Sequence, residues 1–327
     1  MKLITKGVKK MYYLGIDLGG TNIAVGIVNE DHEIVLKGSV PTRAERNIEF
    51  VIDDMADLCK KLIADLGITS DDIAHIGVVS PGTVNPDTGV VEYANNLKIR
   101  NLPLARMLSE RTGIKDVFLA NDADAAAYGE AIAGAAKGAA HSVMITLGTG
   151  VGGGVIIDGK IYSGFNHAGG ELGHVVIEKG GRLCSCGRRG CWEAYSSATG
   201  LIKMTKEAML ADKDSKMWEI CEGDIEKAGG KTAFKAARAG DASGKSVVDS
   251  YVSYLACGIS NMINIFQPEI LSLGGGVCNE GAYLLDPVKE IVAKEIYTCE
   301  GTKQTDIRIA KLGNDAGIIG AAALGTK

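Results

Sequence analysis

The sequence predicts an α/β protein of two duplicated domains with a cleft between them, and three observations carry that reading. Short β-branched and apolar runs alternate with segments of helical period along all 327 residues, a length suited to about two domains. The stretch SVMITLGTGVGGGVIIDGKIYSG (142–164) can be laid over YLGIDLGGTNIAVGIVNEDHEIV (13–35), each reading strand, Gly/Thr turn, strand, short turn, strand. Glycine is abundant (44) and proline scarce (6), which suits tight turns between strands and helices.

Element by element, an apolar run ends at Asp17, and TNIAVGIVNE and HEIVLKGSV follow as two strands. Ile48, Val51, Ile52, Met55, Leu58, Cys59, Leu62 and Ile63 then recur at helical spacing, and Gly67 stops that helix. DIAHIGVVSPG is a strand into a turn, and VFLAND a strand before the Ala-rich helix ADAAAYGEAIAGA. After the repeated hairpin comes a long amphipathic helix on Val248, Tyr251, Leu255, Ile259, Met262 and Phe266. EILSLGGG is then a strand, AYLLDPVKEIVAKEI a helix, DIRIAKL a strand and DAGIIGAAAL the final helix. The expected domains are 1–121, joined by the returning helix at 314–327, and 122–313.

Net charge is −5 and no basic stripe carries interleaved aromatics, so nucleic acid is not an expected partner. No apolar run reaches membrane-spanning length. The basic start, MKLITKGVKK, meets charge and glycine too soon for a signal-peptide core, so a cytoplasmic chain is expected, with Met11 an alternative start. Of eight cysteines, Cys59, Cys221, Cys257, Cys278 and Cys299 are scattered and read as buried thiols. Cys184, Cys186 and Cys191 crowd into GRLCSCGRRGCWE. Three is one too many for a disulfide and one too few for a closed zinc site.

GTGVGG (148–153) matches G-x-G-x-x-G, but the strand-like VIIDGKIYSG after it excludes a dinucleotide fingerprint, and no P-loop occurs. Two hairpin turns remain, DLGGTN with Gly19, Gly20, Thr21 and Asn22, and LGTGVG with Gly148, Thr149 and Gly150. Either alone is a plain tight turn; as a duplicated pair facing across the cleft they suit the two ends of a polyphosphate. Asp17 beside the first implies a cation, most simply Mg²⁺. Gly274, Gly275 and Gly276 read equally as strand–helix punctuation or as room for a flat ring against the backbone.

These residues resemble the ROK family of bacterial sugar kinases and repressors, of the actin-like and hexokinase-like (ribonuclease H-like) ATPase fold, from about Tyr12 to the end. DLGGT and GTG look like its two phosphate motifs, and LGGGV like its adenosine motif. GGELGH followed by CSCGRRGCWE is the most distinctive part. Within the family the likeness is greatest to bacterial ATP-dependent glucokinases. The resemblance implies ATP-dependent phosphorylation of a hexose, glucose first, with N-acetylmannosamine, N-acetylglucosamine, mannose and fructose as alternatives. It also implies a homodimer. A sugar-responsive repressor is the competing reading; such repressors carry an N-terminal DNA-binding module, whereas ten residues precede the first strand here.

The family pattern supplies the missing fourth ligand. His174 with Cys184, Cys186 and Cys191 makes a Cys₃His set, a usual structural zinc site. A C-x-C disulfide would be strained and out of place in a reducing compartment. Fixing these ligands fixes Glu171 and Glu193, whose carboxylates suit sugar hydroxyls, as the family uses them together with His174. Glu193 read alone also favours a helix start, and Glu171 a solvated turn. Asp122 matches the family's catalytic base and Asn121 a sugar contact, while either would also cap the helix that follows. Asp124 is expected as a dipole partner. Gly82 in SPG and Asn96 in ANNL resemble further sugar contacts.

Overall fold

The computed structural model describes residues 11–297 and 301–326, apart from the Asn96 side chain; the basic start, Met1–Lys10, and Cys299 lie outside the described residues. The chain divides into two compact units, each with its own mixed sheet. The first comprises residues up to 138, 160–169 and 314 onward; the second comprises 139–159 and 170–313.

In the first unit the strands are β1 (Tyr12–Leu18), β2 (Asn22–Val28), β3 (Ile34–Pro41), β4 (Ile73–Ser80) and β8 (Val117–Asn121), in the order β3-β2-β1-β4-β8. β1, β2 and β3 run antiparallel, and β4 and β8 join parallel. Helix α1 (Ile48–Asp65) covers one face with Val51, Ile52, Met55, Leu58, Cys59 and Leu62, its N-terminus capped by the Asn47 side chain. A small antiparallel sheet of β5 (Thr83–Asn85), β6 (Val90–Ala94) and β7 (Ile99–Leu102), and helix α2 (Leu104–Thr112), complete that side.

The other face is covered by α3 (Asp122–Ala133) and α10 (Ala316–Ala323). Here glycine allows backbone to touch backbone. A Cβ on Gly15 would lie 2.0 Å from the Ile318 carbonyl oxygen, and one on Gly77 1.7 Å from that of Ala321. A Cβ on Gly320 would come as close to the Ala125 carbonyl oxygen, at 1.8 Å. This packing places α3 with the first unit, so the division falls at 138 rather than the expected 121. The strand-to-helix change at 121 is a change of element, not of core. The segment 160–169, opening with the short strand β11 (Lys160–Ile161), also belongs to this unit.

The second unit repeats the plan. β9 (Ser142–Leu147) and β10 (Val151–Ile157) form an antiparallel hairpin, and β12 (Ile270–Gly274) and β13 (Asp306–Ile309) join β9 parallel, in the order β10-β9-β12-β13. This is the order and direction of β2-β1-β4-β8, so the duplication read from the sequence is a duplication of topology. Its helices are α4 (Glu193–Ser196), α5 (Ala198–Ala211), α6 (Lys216–Ile220), α7 (Thr232–Arg238), α8 (Ala242–Phe266) and α9 (Ala282–Glu295). Helices α5 to α9 share one large core with the sheet. Trp192 is wholly buried against α8, where Gly258 leaves room for its ring, and its indole N–H donates to the Tyr254 carbonyl at 3.1 Å. Among the described residues no helix is long and apolar enough to cross a membrane.

Candidate functional site

In the first unit the predicted residues gather at one end of the sheet, past the C-terminal ends of its parallel strands. Register sets Asp17 beside Val79 and Ser80 beside Asn121, so the ends of β1, β4 and β8 lie abreast. Beyond β1 the chain turns through Gly19–Asn22, with the Gly19 N–H donating to the Asn22 carbonyl at 3.0 Å. Buried Thr42 holds this turn from behind: its hydroxyl donates to the Gly19 carbonyl at 2.7 Å, and its N–H to that of Thr21 at 2.8 Å. Gly20 and Thr21 face solvent.

Asn121 and Asp122 resolve into different roles. Asn121 is the N-cap of α3: its side-chain oxygen accepts from the N–H groups of Ala123 at 2.9 Å and Asp124 at 3.4 Å. Its amide donates to the Gly82 carbonyl at 3.0 Å, tying the SPG turn to β8. Asp122 opens the helix with its carboxylate open to solvent on one side. Crowding by protein pushes its carboxyl above the usual range, against the pull of the Ala123 N–H on Oδ1. Asp17 is half-buried, and its pKa is pushed up to about 6, by burial first and then by the charge of Asp122. Two neighbouring carboxylates, each costly to ionise, are relieved by a cation or a proton. Asp124 is buried in the first turn of α3, where the helix dipole favours its charge. Asn96 lies on the short turn Asn95–Leu97. A cavity of about 220 Å³ lined by Phe118, Leu119, Ser163 and His167 opens nearby, but of the predicted site residues it touches Asn121 alone.

In the second unit the turn Gly148–Gly150 is closed by the Gly148 N–H on the Gly150 carbonyl at 3.0 Å. The Thr199 hydroxyl backs it through the Thr149 carbonyl at 2.7 Å, and the Ala198 N–H through that of Gly148 at 2.9 Å. Where the turn re-enters β10, the Val151 N–H donates to Glu193 Oε2 at 3.1 Å. The Gly274–Gly276 run divides its two readings. Gly275, at φ 96°, has the Leu147 carbonyl 2.3 Å from where a Cβ would stand, so it is required by packing. Gly276 is exposed with open space above it, free for a ligand to approach. The short helix it begins is held by buried Glu280, paired at 2.6 Å with Arg238, whose guanidinium lies 4.5 Å from the Tyr283 ring centre.

The knuckle carrying the cysteines is pinned by bridges Val176 to Cys191 and Leu183 to Arg189, with a tight turn through Gly187 at φ 87°. His174, Cys184, Cys186 and Cys191 present ligand atoms all within 4.8 Å of one another. Cys186 and Cys191 Sγ are 3.7 Å apart, and Cys184 Sγ is 3.6 Å from His174 Nδ1. Tetrahedral zinc with ordinary bond lengths has S···S edges of about 3.8 Å and S···N edges of about 3.5 Å. The four residues therefore fit that ion in chemistry and spacing. Glu171 is exposed just before the short turn Leu172–His174.

Thr42 and Thr199, which buttress the two turns, were not among the predicted residues, nor was Arg238. A lone hydroxyl whose partner lies 23 or 50 residues away leaves no local pattern.

A model of the ROK family matches residues 13–327. A glucokinase of Halalkalibacterium halodurans is 39% identical over 318 residues, 96% of this chain and 94% of that protein. A glucokinase of Thermotoga maritima is likewise 39% identical, over 96% of this chain and 97% of its own length. Among solved structures, a ROK family glucokinase from Streptomyces griseus in complex with glucose and AMPPNP superposes with a TM-score of 0.78 at 32% identity, covering 96% of this chain and 98% of that one.

Proposed function

The chain belongs to the ROK family, and from that premise we propose that it transfers the γ-phosphoryl group of ATP to the 6-hydroxyl of glucose. The observation that carries the reading is the carboxylate pair at the end of the first sheet. Asp122 is the general base. A carboxyl raised above its usual range is a stronger base at neutral pH, and with Asn121 as the N-cap only Asp122 Oδ1 is engaged, by the Ala123 N–H. Asp17, beside the first turn, faces the Mg²⁺ that accompanies ATP, which would offset the charge that burial and Asp122 make costly.

The turns of Gly19, Gly20, Thr21 and Asn22, and of Gly148, Thr149 and Gly150, hold phosphates through N–H groups and hydroxyls other than the Gly19 and Gly148 N–H groups, which close the turns themselves. Gly276, flanked by Gly274 and Gly275, admits the adenosine. The sugar is held by Gly82, Asn96, Asn121, Asp122, Glu171, His174 and Glu193. His174 Nδ1 faces the cysteines, which leaves Nε2 for a sugar hydroxyl. Zinc on His174, Cys184, Cys186 and Cys191 would supply rigidity alone, since four protein ligands leave no open position. Family resemblance is the support for a homodimer, which sedimentation tests.

A coupled assay with ATP and Mg²⁺ across glucose, mannose, fructose, N-acetylglucosamine and N-acetylmannosamine tests the reading. Glucose should give the highest kcat/KM. No turnover of glucose at saturation would overturn it.

A further inference from the structure

Glu193 is held at both oxygens. Oε2 accepts from the Val151 N–H at 3.1 Å, and Oε1 accepts from the Ser185 hydroxyl at 2.9 Å, with Cys184 Sγ a longer contact at 3.5 Å. The second Gly/Thr turn runs directly against the carboxylate: a Cβ on Gly150 would stand 2.3 Å from Oε2. Ser185 sits between Cys184 and Cys186, so the knuckle that gathers the candidate zinc ligands also aims its hydroxyl.

We infer that Ser185 is a positioning residue, whose hydroxyl fixes the Glu193 carboxylate between the knuckle and the Gly148–Gly150 turn. The inference rests on the reading of Glu193 as a sugar-binding group. An ionised carboxylate offers about four acceptor sites. With one on each oxygen occupied, the plane of the group is set, and the remaining sites point where a sugar hydroxyl meets them. Without the Ser185 hydroxyl, Oε1 has no donor, because a zinc-bound Cys184 thiolate carries no proton, and the carboxylate pivots on its one remaining hydrogen bond, from the Val151 N–H. Sugar contact and turn geometry then loosen together, although Ser185 touches neither sugar nor phosphate.

The test compares Ser185→Ala and Ser185→Thr with the full-length wild type, by calorimetry with glucose, by calorimetry with AMPPNP in the absence of sugar, by steady-state kinetics, by zinc analysis and by melting. One hydrogen bond to a charged group, partly open to water, predicts a rise in the glucose Kd of roughly 3- to 10-fold for the Ala variant. The AMPPNP Kd should rise by a smaller factor, and KM should rise by more than kcat falls. Zinc content and Tm should stay at wild-type values, and Ser185→Thr, which keeps the hydroxyl, should restore both affinities. An Ala variant with wild-type Kd for both ligands overturns the inference. So does a Thr variant as impaired as the Ala variant, since residue size rather than the hydroxyl would then matter. A wild type that binds neither glucose nor AMPPNP fails earlier: it removes the phosphoryl-transfer reading, and this inference with it.

Discussion

The turn at Gly19–Asn22 and the turn at Gly148–Gly150 stand at the same place in two sheets of the same order, and each leans on a threonine from a later segment. They differ in length and in charge. The first spans four residues between Leu18 and its partner Ile23, the second three between Leu147 and Val151. The first strand carries Asp17 at its end, where its counterpart has Thr146. The second turn receives its carboxylate from elsewhere in the chain, from Glu193, already engaged with an N–H and a hydroxyl. Asp17, by contrast, is raised by burial and by a like charge. On the proposed function the repeated scaffold serves two tasks: one turn holds a carboxylate for a cation, the other a carboxylate used as a strut.

The sharpest way to break that comparison is to remove charge from the first pair. Asp122→Asn should lower kcat by about 10²- to 10⁴-fold, the usual effect of losing a general base. Glucose Kd should hold and Tm should not fall, because Asn121 carries the cap and the lost charge was one costly to ionise in the fold. Near-wild-type kcat would remove Asp122 as the base.

Cys186→Ser tests the strut. Loss of one ligand should lower bound zinc, Tm and glucose affinity together, since structural zinc contributes folding energy outright. Glucose bound as tightly as by the wild type, or purified wild type free of zinc, would sever the link between knuckle and sugar.

Asp17→Asn probes the cost of the carboxylate at the first turn. A folded pKa of about 6 against 3.8 unfolded means that the native chain holds a proton across that interval, and so loses stability as pH rises through it. The amide should therefore stabilise the ligand-free protein by about 1–2 kcal/mol at pH 7, with solvent relief discounted from the full shift. That gain should vanish below about pH 4, where the unfolded carboxyl too is protonated. Activity should fall, with a higher Mg²⁺ requirement. Equal melting of variant and wild type at pH 7 would show that Asp17 is not strained.

The smallest effects come from the paired buttresses. Thr42→Val and Thr199→Val each remove one hydroxyl-to-carbonyl bond, worth about 1 kcal/mol. The KM for ATP should rise by similar factors in both, roughly 3- to 10-fold. A large effect in one and none in the other would make the two turns unequal partners.

Much of this was legible before any coordinates. Strand, turn and helix followed from alternation and helical period. The cysteines of the knuckle were legible because three thiols have few other reasons to crowd into eight residues, whereas His174, ten residues upstream, came from the family pattern. The overlay of the repeats set Asn22 on Val151, one residue out, because hairpin loop length is fixed by cross-strand pairing and not by composition. The membership of α3 was not legible: it depends on Gly320 and Gly15 admitting carbonyls from segments far away in the chain. Thr42 and Thr199 stayed invisible for the same reason, each hydroxyl acting through one partner 23 or 50 residues away; Ser185 acts through Glu193, eight residues on, and a serine between two cysteines carries no pattern of its own.

The close seat of α10 on β1 and β4 has a consequence for biogenesis. A ribosome makes residues 316–323 after the whole of 170–313, so the first sheet leaves the exit tunnel with one face covered by α3 alone, and the part that α10 will cover stays bare while the second unit is synthesised. The earliest domain to emerge is thus the last to be finished, and a chaperone that shields apolar sheet surface has its longest window there. A chain truncated after residue 313 should keep a protease-resistant second unit while the first is digested within minutes; equal resistance of both units would show that the first sheet folds without waiting.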